Sequence, residues 1–301
     1  MIRFLYSLAH WLIRYSGTAF FTRLILARNK VTIVLYHNPS VEIFEKHLNY
    51  LSGRYNLISL TDFSEAYFSE KLDTLPKYSL VITLDDGWKE NYRLLPVIRK
   101  YPFRPTIFLT SHIINTERHF WWTECDSKDL NRLKQIPNHQ RLSELMDQCG
   151  FYPEKEYPGN RQALNLQEIE EMKEMVDFSL HTCYHPVLNQ CSKEEIRNEI
   201  EMCKTKIEHM LGRPITTFSY PNGDYNEYCI QVLKDCGVKI ARTTDAGWND
   251  HTSDPYKLKV TGVSDDGSLN KLIAELTGIP MYFQHLFQGS FNGVKKTNYG
   301  D

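Results

Sequence analysis

From Val31 onward, short apolar runs rich in β-branched residues alternate with stretches whose apolar residues recur at helical spacing. That alternation constrains the fold more than any other feature, because strands separated by helices come out parallel. Val31–Tyr36, Ser79–Leu84, Pro105–Leu109, Val176–Leu180, Thr216–Tyr220, Val238–Thr243 and Leu258–Val260 read as strands. About seven strands between residues 31 and 280 predict an α/β fold, a distorted (β/α) barrel rather than an open sheet. Phe44, Leu48 and Leu51 predict a helix after the first strand, and Tyr92, Leu95 and Ile98 one after the second. Asn165 can cap a helix bearing Ile169 and Met172. Ser192 with Glu195 forms a capping box before the apolar face Ile196, Ile200, Cys203, Ile207 and Met210, which Gly212 and Pro214 end. Tyr228–Cys236 reads as a further helix.

Two regions break this rhythm. Residues 112–165 are polar, irregular and aromatic, and read as an insertion over one face of the barrel, where long loops are often functional. Residues 1–30 form an N-terminal amphipathic helical segment, in which Leu8, Trp11, Phe20, Phe21 and Leu24 are interrupted by Arg3, Arg14 and Arg23. No apolar run is long enough for a spanning helix, and no small-residue cleavage site follows a clean apolar stretch, so no secretory signal is expected. The segment reads either as a helical hairpin packed on the barrel or as a peripheral membrane anchor through residues 1–28, its arginines facing lipid headgroups. Residues 281–301 read as a tail.

The 42% hydrophobic and 24% charged residues allow one large core. A net charge of −2 without a basic stripe argues against a nucleic-acid partner. The seven cysteines are odd in number and include no CxxC pair, which predicts reduced thiols and a cytoplasmic location, at the inner face of the membrane if the N-terminal segment binds lipid.

In a barrel, functional groups gather at the carboxyl ends of the strands. Asp85-Asp86 close the second predicted strand, His181 the fourth with His185 following, and Tyr220-Pro221-Asn222-Gly223 the fifth. Neighbouring carboxylates repel unless a cation separates them. A divalent metal on one would leave the other as an ionised base, with Gly87 permitting the turn. Two histidines and one carboxylate leave open positions on a metal for water and substrate. The plainer alternatives are a helix-capping Asp-Gly turn and two unrelated polar residues in a loop. Cys183 lies between the histidines but would point to the opposite side of the turn.

These residues resemble the polysaccharide deacetylase family, also called the NodB-homology domain or carbohydrate esterase family 4. Its motifs appear as Thr83-Leu84-Asp85-Asp86-Gly87, His181-Thr182-Cys183-Tyr184-His185 and Phe218-Ser219-Tyr220-Pro221-Asn222-Gly223. Tyr36-His37 and Thr243-Thr244-Asp245-Ala246-Gly247 look like further marks of one branch. The resemblance implies a barrel of seven strands. It implies that Asp86, His181 and His185 hold a divalent metal, zinc being expected, and that Asp85 is the general base. The metal would polarise an acyl carbonyl and activate water, with the oxyanion against the metal and the Tyr220 backbone N–H. Three departures stand out. Leu84 replaces a phenylalanine. The third motif lacks the arginine that would orient the base. No Leu-x-His follows Gly247, so the general acid is unassigned, with His37 as a candidate and His251 as a weaker one.

Tyr220, Asn222, His37 and Trp122 are the expected substrate contacts, and Trp88, Trp121 and Trp122 could stack on a sugar ring. The expected activity is metal-dependent removal of an N-acetyl group from an amino sugar in a glycan, lipid-linked or nucleotide-linked precursor. The alternatives are a deformylase or amidase on a non-sugar amide, and an inactive carbohydrate-binding relative.

Overall fold

The computed structural model describes residues 2–280, with side chains from Tyr6 onward. The tail expected at 281–301 lies outside the described residues. The strands are β1 (Thr32–Tyr36), β2 (Asn56–Leu57), β3 (Ser79–Leu84), β4 (Thr106–Leu109), β5 (Asp177–Leu180), β6 (Thr217–Ser219), β7 (Ile240–Ala246) and β8 (Leu258–Gly262). All of their pairings are parallel. Seven strands close a ring in the order β1-β3-β4-β5-β6-β7-β8, and the β1–β8 pairing Val34↔Thr261 shuts it. The distorted (β/α) barrel of seven strands is therefore the observed fold. The two-residue β2 pairs with β3 outside that ring. It is too short to show any period-2 signal.

Side chains alternate across each strand, and the alternation sorts the core. Ile33, Leu35, Val81, Phe108 and Ile240 fill the barrel interior in one buried cluster. Val34, Tyr36, Leu80, Ile82 and Phe218 belong to a second cluster beneath the helices. Both faces are buried, which is why the strands read as continuous apolar runs.

The capping signals act as expected. Ser192 and Asn165 each close a capping box, and Gly212 ends the helix Lys193–Leu211 in a left-handed conformation. The helix expected around Tyr92–Ile98 is instead a 3₁₀ stretch, Lys89–Leu94, running into a single α turn, Leu95–Ile98. Pro96 explains the break, since it sits at the start of that turn and lacks a donor N–H. A helix at Leu60–Phe68 was not anticipated; Ser59 caps it.

Residues 112–165 are more ordered than their polarity suggested. They carry helices Ser127–Leu133 and Asn138–Cys149 around a small core of Trp121, Leu133, Leu145 and Phe151. The segment is stitched back to the Asp85-Asp86-Gly87 turn: Leu164 N–H donates to Gly87 O at 2.9 Å and Lys89 N–H to Gln162 O at 2.8 Å. At the amino end, α1 (Ile2–Tyr15) and α2 (Thr18–Ile25) form a hairpin, and α1 packs along the helix Leu269–Glu275.

Candidate active site at the carboxyl end of the barrel

Strand parity decides which polar residues meet. Asp85 continues the inward row of Val81 and Thr83, His181 that of Ser179, and Arg242 that of Ile240. Ser219 is inward on β6, while Phe218 and Tyr220 face the helical layer. Asp85, Asp86, His181 and Arg242 are each almost fully buried.

Asp86 is held in a left-handed conformation (φ 72°) by the turn that Gly87 completes at φ 76°. A Cβ at Gly87 would fall 2.7 Å from Leu109 Cδ2, so both the conformation and the space demand glycine there. Trp88 Nε1–H donates to Asp86 Oδ2 at 2.9 Å and fixes the carboxylate. Asp86 Oδ1 lies 3.3 Å from His181 Nε2 and 3.4 Å from His185 Nε2. His181 Nδ1 donates to Ser219 O at 2.8 Å, which leaves Nε2 as the free lone pair.

The loop joining the histidines is firmly built. Glu199, from the helix Lys193–Leu211, accepts from Cys183 N–H at 2.7 Å and Tyr184 N–H at 3.0 Å. His185 N–H donates to Thr182 Oγ1 at 3.0 Å. Thr182 and His185 both have positive φ. Cys183 turns its thiol toward the Glu199 carbonyl at 3.5 Å, away from the histidine rings.

Asp86, His181 and His185 bring one ligand atom each within 4.8 Å of one another. Asp86 Oδ1 and His181 Nε2 are buried without a hydrogen-bond partner. Orphaned buried groups are costly, and a divalent cation between them would satisfy both. The residues therefore fit a metal. Burial opposes the charge on Asp86, but the hydrogen-bonding approach of His181 and the nearness of His185 and His37 outweigh it, holding its carboxyl well below the usual range. Burial also opposes protonation of His181, but Asp85 and Asp86 raise it above its ordinary value. Burial keeps His185 well below its ordinary value.

Asp85 Oδ2 lies 3.8 Å from His181 Nε2, but its closest partners are different ones. Arg242 Nη2 donates to Asp85 Oδ1 in a fully buried ion pair. Ser219 Oγ–H donates to Asp85 Oδ2 at 3.4 Å. The arginine missing from the third motif is thus replaced from β7, correcting the expectation that nothing orients Asp85. Sequence held the signal: an arginine inside the apolar strand Val238–Thr243 needs a buried anion.

The other expected contacts divide. Trp122 lies against the His185 ring, centroids 4.3 Å apart, and stays half-buried. Trp121 Nε1–H donates to His185 O at 2.9 Å, and Trp88 packs on Phe120, so both position neighbours rather than present a face. Asn222 has φ 56° and a buried Nδ2 without a partner. Its turn requires Gly223, where a Cβ would fall 2.1 Å from Thr244 Oγ1. Tyr220 is not at the site surface: its ring is fully buried and stacks on Tyr225 at 4.7 Å. Its N–H is committed to Arg242 O at 3.1 Å and is not free for an oxyanion. Strand parity is the reason, since Tyr220 points outward where Ser219 points in.

His37 is half-buried and close enough to influence Asp86. Asp265 accepts from its N–H at 3.0 Å and from Asn38 N–H at 2.8 Å, while Asn91 Nδ2–H donates to His37 O at 3.0 Å. Asp265 has no sequence motif that would have revealed it. His251 is exposed beside Asp250, which pairs with Lys30 at the amino end of β1, far from the cluster.

A family model described as polysaccharide deacetylase matches residues 73–241. YxkH of Bacillus subtilis (strain 168), a protein whose name assigns it to the polysaccharide deacetylases, is 24% identical over 250 residues, covering 78% of this chain and 72% of YxkH. ArnD of Wigglesworthia glossinidia brevipalpis carries the name of a 4-deoxy-4-formamido-L-arabinose-phosphoundecaprenol deformylase. It is 26% identical over 145 residues, 47% of this chain and 49% of ArnD. Among solved structures, the Streptococcus pyogenes deacetylase PplD in complex with acetate matches with TM-score 0.61 at 19% identity, over 82% of this chain and 98% of PplD. IcaB from Ammonifex degensii matches with TM-score 0.59 at 16% identity, over 82% of this chain and 97% of IcaB. These structural likenesses speak for the fold.

Proposed function

The chain belongs to the polysaccharide deacetylase family, and from that premise we propose that it is a metal-dependent hydrolase removing an N-acetyl group from an amino sugar in a glycan, lipid-linked or nucleotide-linked precursor. The observation that carries this reading is the division of the two neighbouring aspartates: Asp86 faces His181 and His185, while Asp85 is tied to Arg242. Asp86, His181 and His185 are assigned as metal ligands and Asp85 as general base. A divalent cation held there, zinc by preference for this N/O donor set, supplies carbonyl polarisation and a more acidic water.

The chain's own residues do the rest. Asp85 accepts the proton of the attacking water, and its oxygens stay aimed because Arg242 and Ser219 hold one each. His181 keeps Nε2 available because its other nitrogen is engaged by Ser219 O. His37, its backbone pinned by Asp265 and Asn91, is assigned to protonate the leaving amine. Trp122, half-buried beside His185, is assigned an apolar contact to substrate and Asn222 Nδ2 a donor to it. A cytoplasmic setting is part of the proposal, supported by seven unpaired cysteines.

A formyl group is the second reading, favoured by the similarity to ArnD. Release of acetate and of formate is measured from N-acetyl and N-formyl sugars in nucleotide-linked, lipid-linked and oligomeric forms. Chelation should abolish release and added zinc restore it. Asp85→Asn should lower turnover by about 10²–10⁴-fold with metal content retained. Undiminished release by that variant would remove Asp85 from the role of base.

A further inference from the structure

Ten of the fifteen exposed large apolar side chains among the described residues fall between Tyr6 and Leu26. Elsewhere such residues are scattered singly, as on any soluble surface. On the α1–α2 hairpin they are concentrated: Trp11, Leu12, Tyr15, Phe20, Phe21 and Ile25 are each 48–69% exposed, with Trp11 against Tyr15 at 5.0 Å and Phe20 against Phe21 at 5.5 Å. A patch of that kind marks an interaction surface.

The hairpin is fixed to the barrel. Arg14 Nη1–H donates to Asn270 Oδ1 at 2.6 Å. Arg23 donates to Arg54 O and lies over the Tyr78 ring at 5.1 Å. The apolar face therefore projects from a platform.

Its charge selects the occupant. The first acidic residue of the chain is Glu42, whereas Arg3, Arg14, Arg23, Arg28 and Lys30 precede it. With a net charge of −2, five positive charges here leave −7 on the remainder, since −2 − 5 = −7. Arg14 and Arg23 are held against the barrel and Lys30 by Asp250, so exposed Arg28 and the lack of any acidic residue before Glu42 give the hairpin its positive sign, which suits anionic lipid headgroups. A twofold contact between two hairpins would instead set like charges against each other. No described helix is long and apolar enough to cross a membrane, so the fitting geometry is a hairpin lying in the interface, with Trp11 and Tyr15 at headgroup depth.

We propose that the α1–α2 hairpin docks this protein on an anionic lipid surface. On its barrel side the hairpin is held by Asn270, which lies in the helix following the Asp265 loop that anchors His37. The docking does not depend on the proposed reaction, and its test needs no turnover.

The test floats the full chain with phosphatidylcholine vesicles, with and without phosphatidylglycerol. The protein should rise with the phosphatidylglycerol vesicles, remain largely behind with phosphatidylcholine alone, and lose binding as salt increases. The Phe20→Ser/Phe21→Ser/Ile25→Ser variant should bind at least about tenfold more weakly, with unchanged circular dichroism because all three side chains are exposed. Arg3→Gln/Arg28→Gln should weaken the preference for phosphatidylglycerol. Full-length protein that stays at the bottom of the gradient, or floats equally with both vesicles, overturns the proposal. So does a serine variant that floats like the parent. A dimer in light scattering that the serine variant dissolves, without flotation of the parent, assigns the face to a second copy instead.

Discussion

Replacing Arg242 with methionine isolates the ion pair on which the assignment of Asp85 rests. The substitution keeps an unbranched chain beneath Phe108 but leaves Asp85 without its cation. Both side chains are almost wholly buried, at 1% and 5% exposure. At the effective permittivity of a protein interior, unit charges 4 Å apart attract by about 4 kcal/mol. Removing one partner of a buried pair costs about 3–5 kcal/mol, because the other charge remains desolvated. Arg242→Met should therefore lower the unfolding free energy by that amount, measured by urea denaturation with chelator present so that no bound cation compensates. Asp85→Asn alone should also destabilise, since it strands Arg242. The double variant should recover part of the loss, with a coupling of about 0.5–3 kcal/mol. Turnover by Arg242→Met should fall by about 10²-fold, the usual consequence of a misplaced catalytic group. If the two single effects add to within about 0.5 kcal/mol, the residues do not act as a pair and Arg242 does not orient Asp85.

Two further predictions concern the supports of the metal-ligand cluster. Trp88→Phe removes the donor to Asp86 Oδ2 and should weaken metal affinity by about 10–100-fold, read by competition with a chromogenic chelator; unaltered affinity would free Asp86 from dependence on Trp88. Burial pushes the Glu199 carboxyl up from 4.5 to about 7. A raised carboxyl value favours the protonated form in the folded state, so its stability contribution is full below pH 4.5 and is lost as pH rises through about 7. Glu199→Gln keeps an acceptor for Cys183 and Tyr184 and should flatten the fall in melting temperature across that window. Parallel curves for parent and variant would argue against the assignment.

The barrel was legible because its strands are buried on both faces and so appear as unbroken apolar runs. Asp85, Asp86, His181 and His185 were legible because each follows such a run directly. What escaped reading were partners supplied across the fold. Arg242 and Asp265 reach their targets from β7 and from the loop after β8, 157 and 228 residues away in sequence. Tyr220 was assigned from its motif, whereas the period of the strand turns it outward and brings Ser219 in. The helices of residues 112–165 were hidden by polar composition, because they bury only a few side chains around Trp121.

Among the described residues, four of the seven non-glycine positions with positive φ are Asp86, Thr182, His185 and Asn222, all within the three motifs. Such conformations cost of order 1–3 kcal/mol each. An engineer seeking a more heat-resistant version of this chain would meet the largest reserve of recoverable stability where the substitutions are least welcome. Relaxing those turns would let the carboxylate and imidazoles swing away from their common focus. The scope for hardening the molecule therefore lies on the outer helices, and the strand ends at the barrel mouth are best left as they are.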